Sequence, residues 1–318
     1  MRDRLERQQV WIYLGCIVLG VMVALSLSGT EQLAAYVNPA LGFMLFVTFL
    51  QVPLSDMRQS LCETRFSAAL LVSNFLFIPV LVFALAHLSR DDAMLRLGIC
   101  LVLLAPCIDY VVTFARMGGA DARLLLAATP FLLLAQMVFL PACLAMFLGD
   151  AAVDLVRAGP FIDAFIWLIA LPLALAAMVQ FGAARGSRAA GRITHVLESC
   201  PVPATAVVLF LVFAATVPVL GKAATYVILA LPAYVAFAIC APLIGWGVGR
   251  AFGLAAGANR AVAFSAATRN SLVVLPLALA VPGATPVLPA IVLTQTLVEL
   301  VAELIYVRVI PKLRVATG

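Results

Sequence analysis

The sequence predicts an all-α polytopic membrane protein: ten transmembrane helices in two inverted five-helix repeats, with helices 4 and 9 broken and crossed. Three observations carry this prediction, namely extreme hydropathy, basic residues that alternate between loops, and an echo between the two halves. Of 318 residues, 65% are hydrophobic and 11% charged, with a mean hydropathy of +1.14, whereas a soluble domain is about 45–50% apolar and about 25% charged. A soluble globular enzyme is excluded, and so is a disordered chain, which needs low hydrophobicity. The 7 cysteines lie scattered through apolar stretches without paired spacing, which excludes a disulfide scaffold. A span takes about 20 apolar residues, so this length holds about ten of them and leaves no room for a second, soluble domain. Residues 1–318 are therefore expected to form a single membrane domain.

The spans follow from apolar runs between polar breaks, at 10–28, 37–54, 66–88, 95–115, 124–148, 161–182, 201–220, 224–249, 261–281 and 286–307. The first run follows a basic head, as a secretory signal would. It is long enough to span and no small-residue cleavage site follows it, so it is read as the first transmembrane helix.

Orientation rests on Lys and Arg, which stay on the cytoplasmic side. With ten spans, the termini and even-numbered loops hold fifteen basic residues and the opposite side holds four, with Arg269 alone left inside a span. A missed or invented helix would scramble that split. It predicts cytoplasmic N- and C-termini in the plasma membrane, which is the inner membrane if the cell is bacterial. The net charge of +5 then reports topology, and no nucleic-acid partner is implied.

The halves, at about 10–148 and 161–307, echo one another at an offset of roughly 160 residues, as an internal duplication would. Leu133-Leu134-Ala135-Gln136-Met137-Val138 resembles Val292-Leu293-Thr294-Gln295-Thr296-Leu297. Span 4 reads Leu104-Ala105-Pro106-Cys107-Ile108-Asp109-Tyr110, and span 9 reads Ala267-Thr268-Arg269-Asn270-Ser271-Leu272. Each is an apolar run interrupted halfway by polar residues. An odd number of spans per half puts the two copies in opposite orientations.

Function is argued from those interruptions. A helix breaks in mid-membrane only where the freed backbone groups line a cavity or meet a ligand. Pro106 removes a donor and clashes with the preceding turn, which gives either a break or a packing kink. Counting along each span brings Cys107, Asp109, Arg269, Asn270 and Glu299 to one level near the midplane. Buried charges at such depth are tolerated when they pair or face a wet cavity, and they usually mark a pathway. Arg269 is expected to pair with Asp109 or Glu299 and to sit at the C-terminal end of a half-helix, where the dipole favours a cation. A static ion pair that only holds the bundle together is the alternative.

Span 10 carries Gln295, Glu299 and Glu303 every four residues, hence on one face. Glu299 is the expected proton carrier. Glu303 is grouped with it for proton coupling, with a role as an access residue or as the partner of Arg308 as the alternatives. Gln136 in span 5, Asn74 in span 3, and Ser265 and Thr268 in span 9 are supporting polar candidates, each of which a neighbouring helix could also satisfy.

Ten spans in two inverted halves with crossed interruptions resemble the bile acid/sodium symporter superfamily over nearly the whole chain. Ala105-Pro106-Cys107 and Leu297-Val298-Glu299 look most like its arsenite efflux permease branch. The resemblance implies a substrate site at the crossing of the broken helices, with a functional cysteine at Cys107 and a functional glutamate at Glu299. It also implies a core of spans 3–5 and 8–10 that moves against a panel of spans 1, 2, 6 and 7. One departure bears on coupling. Sodium-coupled relatives carry a glutamate and, four residues on, a glutamine followed by Asn-Ser, whereas this chain has Ser265, Arg269, Asn270 and Ser271. A guanidinium in place of the cation-binding set repels sodium and favours protons as the coupling ion, or uniport.

The substrate classes are then two. Arsenite or antimonite is thiophilic and would take Cys107 as a reversible ligand, although a buried cysteine is also simply a small apolar residue. An organic anion, carboxylate or bile-acid-like, would take Arg269 as its partner, with Asn270 and Ser271. A membrane-embedded enzyme ranks lower, because no zinc, aspartate-rich, nucleophile-elbow or phosphate-cradling motif is present. No cofactor is expected. The implied partners are a small-molecule or metalloid substrate, protons and the lipid bilayer.

Overall fold

A computed structural model of the chain describes residues 2–51, 63–88, 92–107, 110–148, 163, 166–197, 199–220, 223–281, 283 and 286–313. Among these residues there is no strand, only an isolated antiparallel bridge between Pro106 and Arg269. Among the described residues six helices are each long and apolar enough to cross a membrane. The protein is an all-α, multi-pass membrane protein.

The chain divides into two compact units. The first comprises Met1–Leu54 and Ala158–Ala224. Its helices are α1 (Arg2–Ser26), α2 (Ala34–Leu50), α7 (Leu171–Ala184, continuing a π turn at Ile166–Ala170), α8 (Arg188–Leu197) and α9 (Pro201–Leu220). Gln180 of α7 donates its amide to the carbonyls of Phe49 and Leu50, at 2.9 and 3.2 Å, and so satisfies the last turn of α2. Helix α8 falls in what the hydropathy reading leaves as a loop. It is short and basic, with Arg188, Arg192 and His195 among its ten residues, so a search for apolar runs passes over it.

The second unit comprises Ser55–Arg157 and Thr225–Gly318. Helix α3 runs through Thr64–Val72, a π turn at Ser73–Phe77 and Ile78–Leu88. It is followed by α4 (Ala93–Leu103), α5 (Val111–Met117), α6 (Ala122–Leu148), α10 (Ala224–Ala251), α11 (Ala256–Ala267), α12 (Ser271–Ala280) and α13 (Val287–Val309). Asp92 opens α4 by accepting from the backbone N–H groups of Met94 and Leu95, at 2.9 and 3.0 Å, a side-chain N-cap. At the far side of the unit Arg260 donates to the carbonyls of Gly119 and Pro311, both at 3.1 Å. It thereby ties the segment after α5 to the end of α13.

The predicted spans at 95–115 and 261–281 are each two helices. Helix α4 stops at Leu103, three residues short of Pro106, because proline can neither donate to the ladder nor tolerate a helical residue before it. Helix α11 stops where Thr268 turns extended, and α12 restarts at Asn270, whose side-chain oxygen accepts from the Val273 N–H at 3.3 Å. The two gaps then satisfy each other. Cys107 N–H donates to Thr268 O at 3.1 Å, and Asn270 N–H donates to Ala105 O at 2.7 Å. An open backbone group in hydrocarbon costs several kcal/mol, and this short antiparallel pairing removes that cost for two donors and two acceptors. Pro106 therefore marks a break and not a kink.

Candidate functional site

The crossing gathers polar side chains from α3, the start of α5, α11, α12 and α13, all of them within the second unit. Arg269 lies in the gap between α11 and α12 and is fully buried. Its Nη2 donates to the carbonyls of Ser265 and Ala266, both at 2.6 Å, and to Asn74 Oδ1 at 2.8 Å. Its Nη1 lies 3.4 Å from the carbonyl of Leu103, and Phe237 of α10 presents its ring face at 5.4 Å. Leu103 closes α4, and Ser265 and Ala266 lie in the last turn of α11. The guanidinium thus sits at the negative ends of two half-helices, where unsatisfied carbonyls favour a cation.

Of the two expected ion-pair partners, Glu299 does not meet the guanidinium in this placement. Among the described residues no carboxylate lies within ion-pair distance of the guanidinium, and Glu299 meets the backbone of Arg269 instead. Asp109, the other expected partner, lies outside the described residues. The physical reason is local. A side chain at the end of α11 can reach back to the carbonyls three and four residues earlier, so the guanidinium turns toward α4 and Asn74.

Glu299, halfway along α13, accepts three hydrogen bonds. They come from the Arg269 N–H at 2.6 Å, from the Tyr110 hydroxyl at 2.5 Å and from the side-chain amide of Gln295 one turn away. Both oxygens are engaged. Glu303, one turn further on and fully buried, accepts from the Thr268 hydroxyl, while its second oxygen has no partner among the described residues. Among the described residues Glu303 is thereby held by Thr268 and not by Arg308. The two carboxylates differ in kind: one is saturated by donors, and the other keeps an oxygen on which a proton can sit.

Asn74 is brought into the site by the π turn of α3, a distortion often found at functional positions. Its amide nitrogen donates to Leu70 O at 3.0 Å and to Ser265 Oγ at 3.1 Å, leaving its oxygen for Arg269. Ser271 accepts from the Thr296 hydroxyl at 2.8 Å, which joins α12 to α13. Cys107 is buried and fixed at the crossing by its backbone. Gln136 is buried in α6 with neither amide atom bonded among the described residues, and no contact brings it to this cluster. Asn270 Nδ2, Arg269 Nε and Gln295 Oε1 are likewise buried and unpartnered among the described residues. A cavity of about 10 Å³ beside Gln295 and Glu299, walled by Leu103, Tyr234, Phe237 and Tyr306, has room for about one water.

Tyr110 and Phe237 are the residues the sequence reading passes over. Tyr110 stands in the same polar interruption as Cys107, and its position at the start of α5 was the available signal. Phe237 carries none, because an aromatic in an apolar helix reads as packing. Among the described residues no group of three or more His, Cys, Asp or Glu could hold a metal ion.

Residues 38–223, more than half of the chain, match the Sodium Bile acid symporter family. No curated protein matches the chain. The crossing contributes one strand of its backbone pairing from within the matched residues and the other from beyond them. The chain belongs to the sodium bile acid symporter family, whose members are transporters of small solutes.

Proposed function

We infer that this protein is a proton-coupled secondary transporter whose substrate site lies at the crossing of the two broken helices. Its ten spans would form inverted repeats, with both termini in the cytoplasm and a core moving against a panel. The observation that carries the reading is the Glu299 carboxylate, which takes its donors from the backbone of one gap (Arg269), from the residue that caps the half-helix after the other gap (Tyr110) and from its own helix (Gln295). A change in its protonation alters the hydrogen bonds of both gaps at once. Glu303 supplies a second proton site one turn away.

Arg269 accounts for the coupling ion. Three uncharged oxygens within 2.8 Å of Nη2 make a cation cage already filled by a tethered cation, so sodium is not required there. The preferred substrate is arsenite or antimonite leaving the cell, with Cys107 as its thiol ligand at the crossing and Asp109 beside it in sequence. A second reading, an organic anion, is favoured by the two buried donors left open at the same place, Arg269 Nε and Asn270 Nδ2. Uptake into vesicles of arsenite, antimonite and small carboxylates, with and without sodium or a pH gradient, separates the cases. Proton-driven metalloid flux supports the first. Sodium-driven flux of any solute overturns the coupling assignment.

A further inference from the structure

Within the first unit, the short helix α8 carries one spacing twice, a single residue out of step. Arg188, Arg192 and His195 recur at i, i+4 and i+7, and so do Ala189, Ile193 and Val196, so a basic strip and an apolar strip run side by side along the helix. All six residues are exposed. A third edge is used inside the protein: Ala190 is buried, and a Cβ built at Gly182 of α7 would lie 3.2 Å from the Ala190 Cβ. The helix is held without help from either strip. Ser187 Oγ accepts from the Ala190 N–H at 3.4 Å, and Thr194 Oγ1 donates to Ala190 O at 3.1 Å.

We propose that the two strips dock α8 onto anionic phospholipid, with Arg188 and Arg192 on the phosphates and Ile193 and Val196 among the outermost acyl carbons. The chain on either side of α8 fixes its depth. Cys200 N–H donates to Leu197 O at 3.0 Å, a turn that keeps those residues within about 7 Å of each other. The apolar span of α9 opens at the next residue, Pro201. On the other side, three residues separate α8 from the apolar helix α7. Helix α8 therefore sits where a membrane span begins. Arginine is costly inside hydrocarbon, while Ile193 and Val196 are 42% and 63% exposed and gain by leaving water. The boundary between headgroups and acyl chains accommodates both strips at once.

Charge selects the lipid. Residues 181–200 hold three arginines, Arg185, Arg188 and Arg192, against one acid, Glu198. Arg185 caps α7 and lies over the Phe181 ring at 4.0 Å, which brings a third cation to the same turn. Guanidinium groups take phosphate oxygens in pairs, and basic residues at a membrane surface attract anionic lipid. A zwitterionic headgroup carries its own cation and gains less from them. In the topology proposed above this is the cytoplasmic leaflet. The docking itself requires only that α9 crosses the membrane, and it stands or falls apart from the substrate and the coupling ion.

The test is photocrosslinking of the full chain in nanodiscs that mix phosphatidylcholine with a minor, known share of phosphatidylglycerol. A photoreactive phenylalanine at Val196 is irradiated and the adducts are identified by mass spectrometry. Phosphatidylglycerol is expected among them at about five times its share of the bilayer, the factor that one arginine at an anionic surface supplies. The excess should vanish when Arg188→Gln and Arg192→Gln are combined, and persist when Arg188→Lys and Arg192→Lys are combined. Both positions are exposed, and the lysine pair shows that a loss reports charge and not folding. Lipid adducts in the bulk ratio, an excess that survives the glutamines or is abolished by the lysines, adducts with protein only, or no adduct would each overturn the proposal.

Discussion

Arg269 gives Glu299 its backbone N–H, at 2.6 Å, and gives its guanidinium to Asn74 and to the carbonyl ends of α4 and α11. The cation and the carboxylate are therefore linked through one residue without neutralising each other directly. The backbone bond depends on the gap between α11 and α12 staying open, since an N–H inside a continuous helix would be committed to its own ladder. The state of Glu299 is in this way tied to the geometry of the broken helix.

Replacing Glu299 with Gln is expected to leave a folded protein without proton-coupled flux. The amide oxygen can still accept from the Arg269 N–H and from Gln295. Its NH₂ group then faces Tyr110, whose hydroxyl can turn its proton to Arg269 O, 3.4 Å away. The bonds are rearranged with little loss, but position 299 no longer exchanges a proton, and Glu303 alone does not reach the donors of both gaps. Flux measured against pH in proteoliposomes is expected to go flat in this variant. An unchanged pH dependence would remove Glu299 from the pathway.

Arg269 and Asn74 are expected to be energetically coupled. Asn74→Ala removes one of the acceptors of Nη2, and Arg269→Ala strands the carbonyls of Ser265 and Ala266 in a buried setting, at about 1–3 kcal/mol for each unsatisfied group. Neither loss can be counted twice, so thermal unfolding of the double variant should fall short of additivity by about 0.5–3 kcal/mol. Arg269→Lys is not conservative here, because one ammonium cannot span acceptors on both α4 and α11. Additive single and double variants would show that the 2.8 Å contact contributes nothing.

The breaks were legible in the sequence because proline and clustered polar residues oppose helix formation by strictly local means. The meeting of Arg269 with Glu299 was legible for a related reason, since a helix of fixed rise converts residue count into position along a span. Partner choice was not. Whether the side chain of Arg269 turns toward Glu299 or toward Asn74 depends on the π turn at Ser73–Phe77 and on the carbonyls freed at Leu103. Both arise from three-dimensional packing that one-dimensional spacing does not encode. Tyr110 escaped for the opposite reason: its role needs only a hydroxyl beside α13, and hydroxyl-bearing aromatics are common in membrane helices.

Cys107→Ala separates the two substrate classes without disturbing the crossing, because the contact that holds this residue to Thr268 is a backbone one, at 3.1 Å. If the thiol is the metalloid ligand, arsenite flux should be lost while the protein keeps its unfolding temperature and any carboxylate flux. Full retention of arsenite transport would move the substrate assignment to the open donors of Arg269 and Asn270.

Helix α10 offers a paired test of how the site is held. A Cβ at Gly245 would meet Val262 O at 2.8 Å and Ala263 Cα at 2.9 Å, so α10 and α11 touch there through backbone that cannot yield by changing rotamer. Two turns earlier on α10, Phe237 lies against Arg269, and any widening at Gly245 draws that ring away. Gly245→Ala is accordingly expected to destabilise the protein by about 1–3 kcal/mol, the usual range for overpacking. A Cβ at Gly247, two residues on, has nothing within 4 Å. Gly247→Ala should be neutral or stabilising by up to about 1 kcal/mol, as expected when alanine replaces glycine in a helix. Thermal unfolding in detergent reads both variants, and the pair controls for the general effect of adding a methyl group to this helix. If the two substitutions shift the transition alike, close contact at Gly245 is not what sets the spacing of α10 and α11.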